Sequence, residues 1–85
     1  MKIQFHKNFE KQYKKLKTLQ TKIDQRLFLF MNDPFDPLLN NHPLTGQYSG
    51  YRSINITADY RAIYSATSAD HAFFITIDKH SNLYK

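Results

Sequence analysis

The chain contains no cysteine, and its 85 residues include only two glycines and three prolines. Without cysteine there is no disulfide to stabilise the fold and no thiolate to serve as nucleophile or metal ligand. No glycine-rich phosphate loop is present, so nucleotide hydrolysis of the P-loop kind is excluded. The opening stretch, MKIQFHKNFEKQYKK, has no apolar run. It is therefore neither a signal peptide nor a membrane span, and the expected location is the cytoplasm. The four histidines, His6, His42, His71 and His80, include no pair at the i, i+4 spacing of a helical zinc site. No metal or other cofactor is expected. No serine stands in a nucleophile elbow.

Acidic residues are scarce too: seven, against twelve lysines and arginines, for a net charge of +5. The imbalance is local. Residues 1–30 carry eight Lys/Arg against Glu10 and Asp24, or +6, while residues 31–85 sum to −1. Such a concentration suits a polyanionic or acidic partner. A solvated lysine-rich helix face gives the same count. The length fits one domain over residues 1–85, burying about 60% of its unfolded surface, so modest stability is expected.

Gly50 to Tyr64, GYRSINITADYRAIY, is the stretch that organises the rest. Ile54 and Ile56 alternate with Ser53, Asn55 and Thr57, Ala58-Asp59 reads as a turn, and Tyr60 to Ser65 follows. This pattern predicts a β-hairpin. Its polar face gathers Arg52, Asn55, Asp59 and Arg61. Before it, Lys2 to Phe5 predicts a short strand. Asn8 is the expected cap of a helix whose stripe is Phe9, Tyr13 and Leu16, ending near Thr18. A second helix is expected from Thr21, with Asp24 as capping-box partner and Ile23, Leu27, Phe30 and Met31 as its stripe. Asn32-Asp33-Pro34 stops it. Residues 33–50 form a connector that carries His42, pinned by Leu38, Leu39 and Leu44. Ala72 to Asp78 predicts the most apolar strand, with Phe73, Ile75 and Ile77 on one face and Phe74, Thr76 and Asp78 on the other. The predicted order is β-αα-βββ: an α+β fold with a two-helix hairpin packed on a mainly antiparallel four-stranded sheet.

The residue types left are those of metal-free acid–base chemistry. Cleaving RNA without metal needs a base for the 2′-OH, donors for the charge on phosphorus and an acid for the leaving 5′-oxygen. Histidine suits both proton roles near neutral pH, arginine suits phosphate, and an aromatic ring can hold a base. His42, Asp59, Arg61, His80 and Tyr84 supply these types. Each also has an ordinary reading as a turn, surface or packing residue.

The phrases HPLTGQYSGYRSI, DYRAIY and KHSNLY, with the order β-αα-βββ, resemble the RelE/ParE superfamily of bacterial toxins, most of all its YafQ-like branch. The resemblance implies a toxin of a type II toxin–antitoxin system: an endoribonuclease that cuts mRNA in the ribosomal A site and is neutralised by a cognate acidic antitoxin. By this resemblance His42 and His80 form the proton-transfer pair and Asp59 assists. Arg61 stands where RelE-type members keep a phosphate-stabilising arginine, and Tyr84 positions the substrate. Arg52 and Asn55 are further substrate-binding candidates, and Lys11, Lys14, Lys15 and Lys17 are candidates for gripping rRNA phosphates. The sequence departs from the branch at two places: Asn55 replaces a hairpin histidine, and Thr76 stands where an arginine is usual. Two alternatives share the fold, a gyrase-inhibiting ParE-type toxin and an inactive toxin that only binds antitoxin.

Overall fold

A computed structural model describes residues 1–83, so Tyr84 lies outside the described residues. Strand β1 (Lys2–Phe5) leads into helices α1 (Lys7–Lys15) and α2 (Gln20–Asn32). A connector then delivers β2 (His42–Pro43), and β3 (Arg52–Asn55), β4 (Tyr60–Ser68), β5 (His71–Lys79) and the short helix α3 (His80–Leu83) follow. The sheet order is β1-β5-β4-β3-β2. Only β1 pairs in parallel, against β5. The sheet thus has five strands rather than the expected four. The extra one is the His42–Pro43 pair on β3, too short for any alternation to announce it.

The helix ends differ from expectation for local reasons. His6, extended and bonded through its N–H to Phe74 of β5, caps α1 itself, its ring Nδ1 accepting from the Asn8 N–H at 3.0 Å. Asn8 lies inside the helix, and its side chain donates to Thr76 Oγ1 at 3.0 Å instead. Helix α1 stops at Lys15, and a 3₁₀ turn over Lys17–Leu19 runs directly into α2. Thr21 and Asp24 form no capping box, because no side chain caps α2. Asp24 accepts from the Tyr13 hydroxyl at 2.8 Å, joining the two helices.

Ile23, Leu27 and Phe30 recur at i, i+4 and i+7, one face of a 3.6-residue period. With Phe9 of α1 they bury against Ile54, Ala62, Tyr64, Ala72, Phe74 and Ile77 of the sheet and Ile56 just beyond β3. Met31 falls off that face and is exposed, as is Leu38, whereas Leu39 is fully buried. Phe74 is the hub of the layer: its ring lies 5.7 Å from Phe9, 5.2 Å from Phe30 and 5.1 Å from Tyr64. Burying one such ring stabilises by about 1.5–3 kcal/mol.

The faces of β5 do not follow simple alternation. Ile63 pairs with Thr76 and Tyr64 with Phe74, so Ile75 has no partner opposite it. This β-bulge shifts the parity of the strand. Phe74 and Ile77 therefore share the helix-covered face, while Phe73, Ile75 and Thr76 open onto the other. On that second face Leu44, Ile63 and Leu83 form a small core with Tyr48, Tyr51 and Ile75. Gln47 ties the connector to α3 by donating to the Leu83 carbonyl at 3.1 Å. Gly50, at φ 93°, takes the left-handed turn that brings the connector into β3.

Candidate active site

The β3–β4 turn and the β5–α3 junction meet at one end of the sheet. Tyr60 pairs with Lys79 and Arg61 with Asp78, and the His80 N–H donates to the Asp59 carbonyl at 2.7 Å. Between them opens a cleft of about 410 Å³ lined by Ala58, Asp59, Arg61, Lys79, His80 and Ser81. The turn is longer than the two residues expected. Thr57 Oγ1 accepts from the N–H groups of Asp59 and Tyr60 at 3.3 and 3.1 Å, which fixes its shape. The Asp59 side chain is exposed and makes no hydrogen bond among the described residues.

Arg61 reaches back over this turn. Its Nη1 donates to the carbonyls of Thr57, Ala58 and Tyr60 at 2.9, 3.0 and 3.1 Å. One arm of the guanidinium is thus spent on the backbone, while Nε and Nη2 make no hydrogen bond among the described residues. A guanidinium held this way offers its remaining donors to an anion at a fixed place. Asn55 pairs with Arg61 across the strands. Its Oδ1 is buried with no hydrogen-bond partner among the described residues, as is Ser53 Oγ on the same face.

His42 lies off the cleft but on this second face, paired with Ser53 on β2, half-exposed. Its Nδ1 sits 2.7 Å from the Asn40 carbonyl. A carbonyl only accepts, so Nδ1 carries the proton and the neutral ring keeps a lone pair on Nε2. The register orders these groups along the strands: first the rung of His42, Ser53, Ile63 and Thr76, then that of Asn55, Arg61 and Asp78, then Lys79 and His80.

The remaining candidates lie elsewhere. Arg52 shares its face with Ile54 and Ile56. It donates through Nε to Asn41 Oδ1 at 2.8 Å and stacks its guanidinium 5.4 Å above the Phe35 ring. Lys11, Lys14, Lys15 and Lys17 are exposed on α1 and the turn after it, in the helical layer. Among the described residues no group of three His, Cys, Asp or Glu is placed to hold a metal. Among the described residues no helix is long and apolar enough to cross a membrane.

Residues 1–85 match the family described as bacterial toxin of type II toxin-antitoxin system, YafQ. The chain belongs to the YafQ family. Solved structures repeat its fold. The E. coli YafQ crystal structure superposes with a TM-score of 0.81 at 22% identity, covering 98% of this chain and 97% of that one. The YafQ chain of the E. coli DinJ–YafQ complex gives 0.78 at 22%, covering 98% and 96%. A YoeB/ParE toxin from Agrobacterium tumefaciens gives 0.76 at 26%, covering 94% and 99%. Among curated proteins no sequence matches significantly. As a YafQ-family protein of the RelE/ParE superfamily, the chain is a toxin of a type II toxin–antitoxin system.

Two residues at this end of the YafQ-family sheet escape a reading of the sequence. Lys79 lines it as a second cation beside Arg61. Asp78 faces Arg61 across the strands, and its Oδ1 accepts from the Lys79 N–H at 2.7 Å and from Asn82 Nδ2 at 3.1 Å, holding the start of α3. Their only sequence signal is adjacency to His80. Asn55 and Thr76, the two departures from the family pattern, fall on different rungs: Asn55 beside Arg61, Thr76 bonded to Asn8.

Proposed function

We propose that this toxin is a ribosome-dependent mRNA endoribonuclease working by metal-free acid–base catalysis. One observation carries the reading: Arg61 shares the cleft with Asp59, Lys79 and His80, and its rung lies on the side of the cleft toward the rung of His42. A phosphodiester on the free arm of Arg61 is then flanked by a proton acceptor on one side and a proton donor on the other. The His42 Nε2 lone pair takes the proton of the 2′-OH. The 2′-oxygen attacks phosphorus, and the charge on the phosphorane falls to Arg61 and Lys79. Protonated His80 gives its proton to the departing 5′-oxygen. The products are a 2′,3′-cyclic phosphate and a 5′-OH end. Asn55 can hydrogen-bond substrate but transfers no proton near neutral pH.

The cognate antitoxin supplies the off state. Phe28, Phe35 and Leu38 are 67%, 65% and 65% exposed. Lys22 and Arg26 line the groove beside Phe28 and Leu38. An apolar strip with a basic rim fits an acidic amphipathic segment.

The test is induction in a bacterial host with mRNA 5′ ends mapped, for wild type and His80→Ala. The expected result is codon-phased cuts in translated mRNA that disappear in the variant. Toxicity that persists in the variant, with intact mRNA and broken DNA, would replace this reading with gyrase poisoning. A folded wild-type protein with no toxicity would leave antitoxin binding as its function.

A further inference from the structure

The second face of the sheet also carries a trough of about 550 Å³ that the chemistry above does not use. His6, Tyr48, Tyr51, Ser65, Phe73 and Thr76 line it, and among the described residues no carboxylate does. The bulge in β5 creates it, by turning Phe73, Ile75 and Thr76 away from the helices. Its rings stand edge-on in two pairs: Tyr48 with Tyr51 at 6.4 Å and 85°, His6 with Phe73 at 5.9 Å and 61°. Edge-on packing occupies a face of only one ring in each pair and leaves the faces of the other clear of its partner. Tyr48, Tyr51 and Phe73 are half-buried, so the rings are held while remaining accessible.

The polar groups among these rings are unspent. The hydroxyls of Tyr48, Tyr51 and Ser65 make no hydrogen bond among the described residues. The His6 Nδ1 accepts from the Asn8 N–H, so the neutral ring carries its proton on Nε2 as a donor. Open aromatic faces with donors and acceptors at their edges suit a flat ligand with polar edges, and a nucleobase of single-stranded RNA is such a ligand. Among the described residues no carboxylate of the lining repels its phosphates.

Position selects the same ligand. Strand β5 runs from the trough at Phe73 and Thr76 to the cleft at Lys79. Thr76 to Lys79 is about 10 Å at about 3.3 Å per residue. That equals about three stacked nucleotide steps of about 3.4 Å each. We propose that the trough is a stacking subsite for a nucleobase two to three nucleotides from the phosphate in the cleft, on the same RNA strand. The assignment rests on the endoribonuclease reading for the identity of that phosphate. It makes Tyr48 and Tyr51 determinants of the sequence preferred beside the cut.

The test uses 2′-O-methyl oligoribonucleotides of two and six residues, which lack the attacking hydroxyl, titrated into the intact protein and followed by backbone amide NMR. The hexamer should move the Ser65, Phe73 and Thr76 amides as well as those of Asp59 and His80, and the dimer only the latter. Tyr51→Leu, which keeps apolar contact with Leu44 and Ile63, should weaken hexamer binding about tenfold. Tyr51→Phe, which keeps the ring, should restore it. Hexamer shifts confined to the cleft, with Tyr51→Leu at wild-type affinity, would overturn the subsite and leave the nuclease reading standing. Shifts in the trough from a toxin that leaves cellular mRNA uncut would overturn the nuclease reading and keep the subsite. Trough amides that move with an acidic peptide and with neither oligonucleotide would make it a protein-docking surface and overturn the proposal.

Discussion

Arg61 performs two tasks with one side chain, and the division can be measured. Three carbonyl bonds from Nη1 hold the Thr57–Tyr60 turn, and the rest of the fork faces the proposed phosphate. Lysine keeps the charge but is a point donor without the fork, so it cannot hold the turn and present further donors in a fixed plane. Arg61→Lys is expected to lower the single-turnover cleavage rate on programmed ribosomes by on the order of a hundredfold, as for other oxyanion donors. Amide exchange at Ala58 and Asp59 should quicken in parallel. A variant with faster exchange and an unchanged rate would reduce Arg61 to a clip for the turn. The sequence marks this residue but not its bonding, because which carbonyls an arginine reaches depends on the turn beneath it. Asp59 and His80 were legible for another reason: turn chemistry and strand ends are local, and register brings them together. Asp78 and Lys79 were not, since a strand terminus shows no sign of which side chains its partner strand will meet. Alternation along the hairpin does not disclose that Arg52 stacks on Phe35, because that contact comes from the connector.

At the scale of elements, what the sequence disclosed follows the range of the forces involved. Helices α1 and α2, the hairpin and β5 were visible because periodicity is set by neighbours along the chain. The bulge at Ile75 and the two-residue strand β2 were not, because both are created by pairing with a distant strand. The caps fall between: His6 rather than Asn8 caps α1 because β5 holds His6 extended. The join between the helices carries its own prediction. The Tyr13 hydroxyl donates to Asp24, and this bond, with burial and the carboxylate's charge adding to it, raises the tyrosine above its ordinary value of 10.0. The folded chain then keeps a phenolic proton that the unfolded chain loses first. The contribution is complete below pH 10.0 and disappears as pH rises through the higher folded value. Melting temperature should therefore fall more steeply above about pH 10 for wild type than for Tyr13→Phe. Parallel curves for the two proteins would show that the bond does not persist in solution.

Across the whole molecule, charge and chemistry occupy opposite layers. The helical layer carries Lys11, Lys14, Lys15 and Lys17, all exposed, and the second face of the sheet carries the cleft. On the proposed reading the toxin must hold a large polyanion without filling its own active site with it, and this separation allows that. Lysines gripping rRNA phosphates release counterions, so affinity falls with salt in proportion to the contacts made. At about 0.7–0.9 in log–log slope per phosphate, four lysines account for a slope of about 3. Replacing all four with alanine should flatten the salt dependence of ribosome binding by that amount and weaken binding at moderate salt. Neutralisation by the antitoxin should survive, because the strip at Phe28, Phe35 and Leu38 is untouched. The converse variant, Phe28→Ser with Leu38→Ser, changes only exposed side chains; it should bind ribosomes with the wild-type salt slope and remain toxic when the antitoxin is co-expressed. If the four-alanine variant kept the full slope, the contacts would lie on the sheet face instead, with Arg61 and Lys79 the first cations to replace.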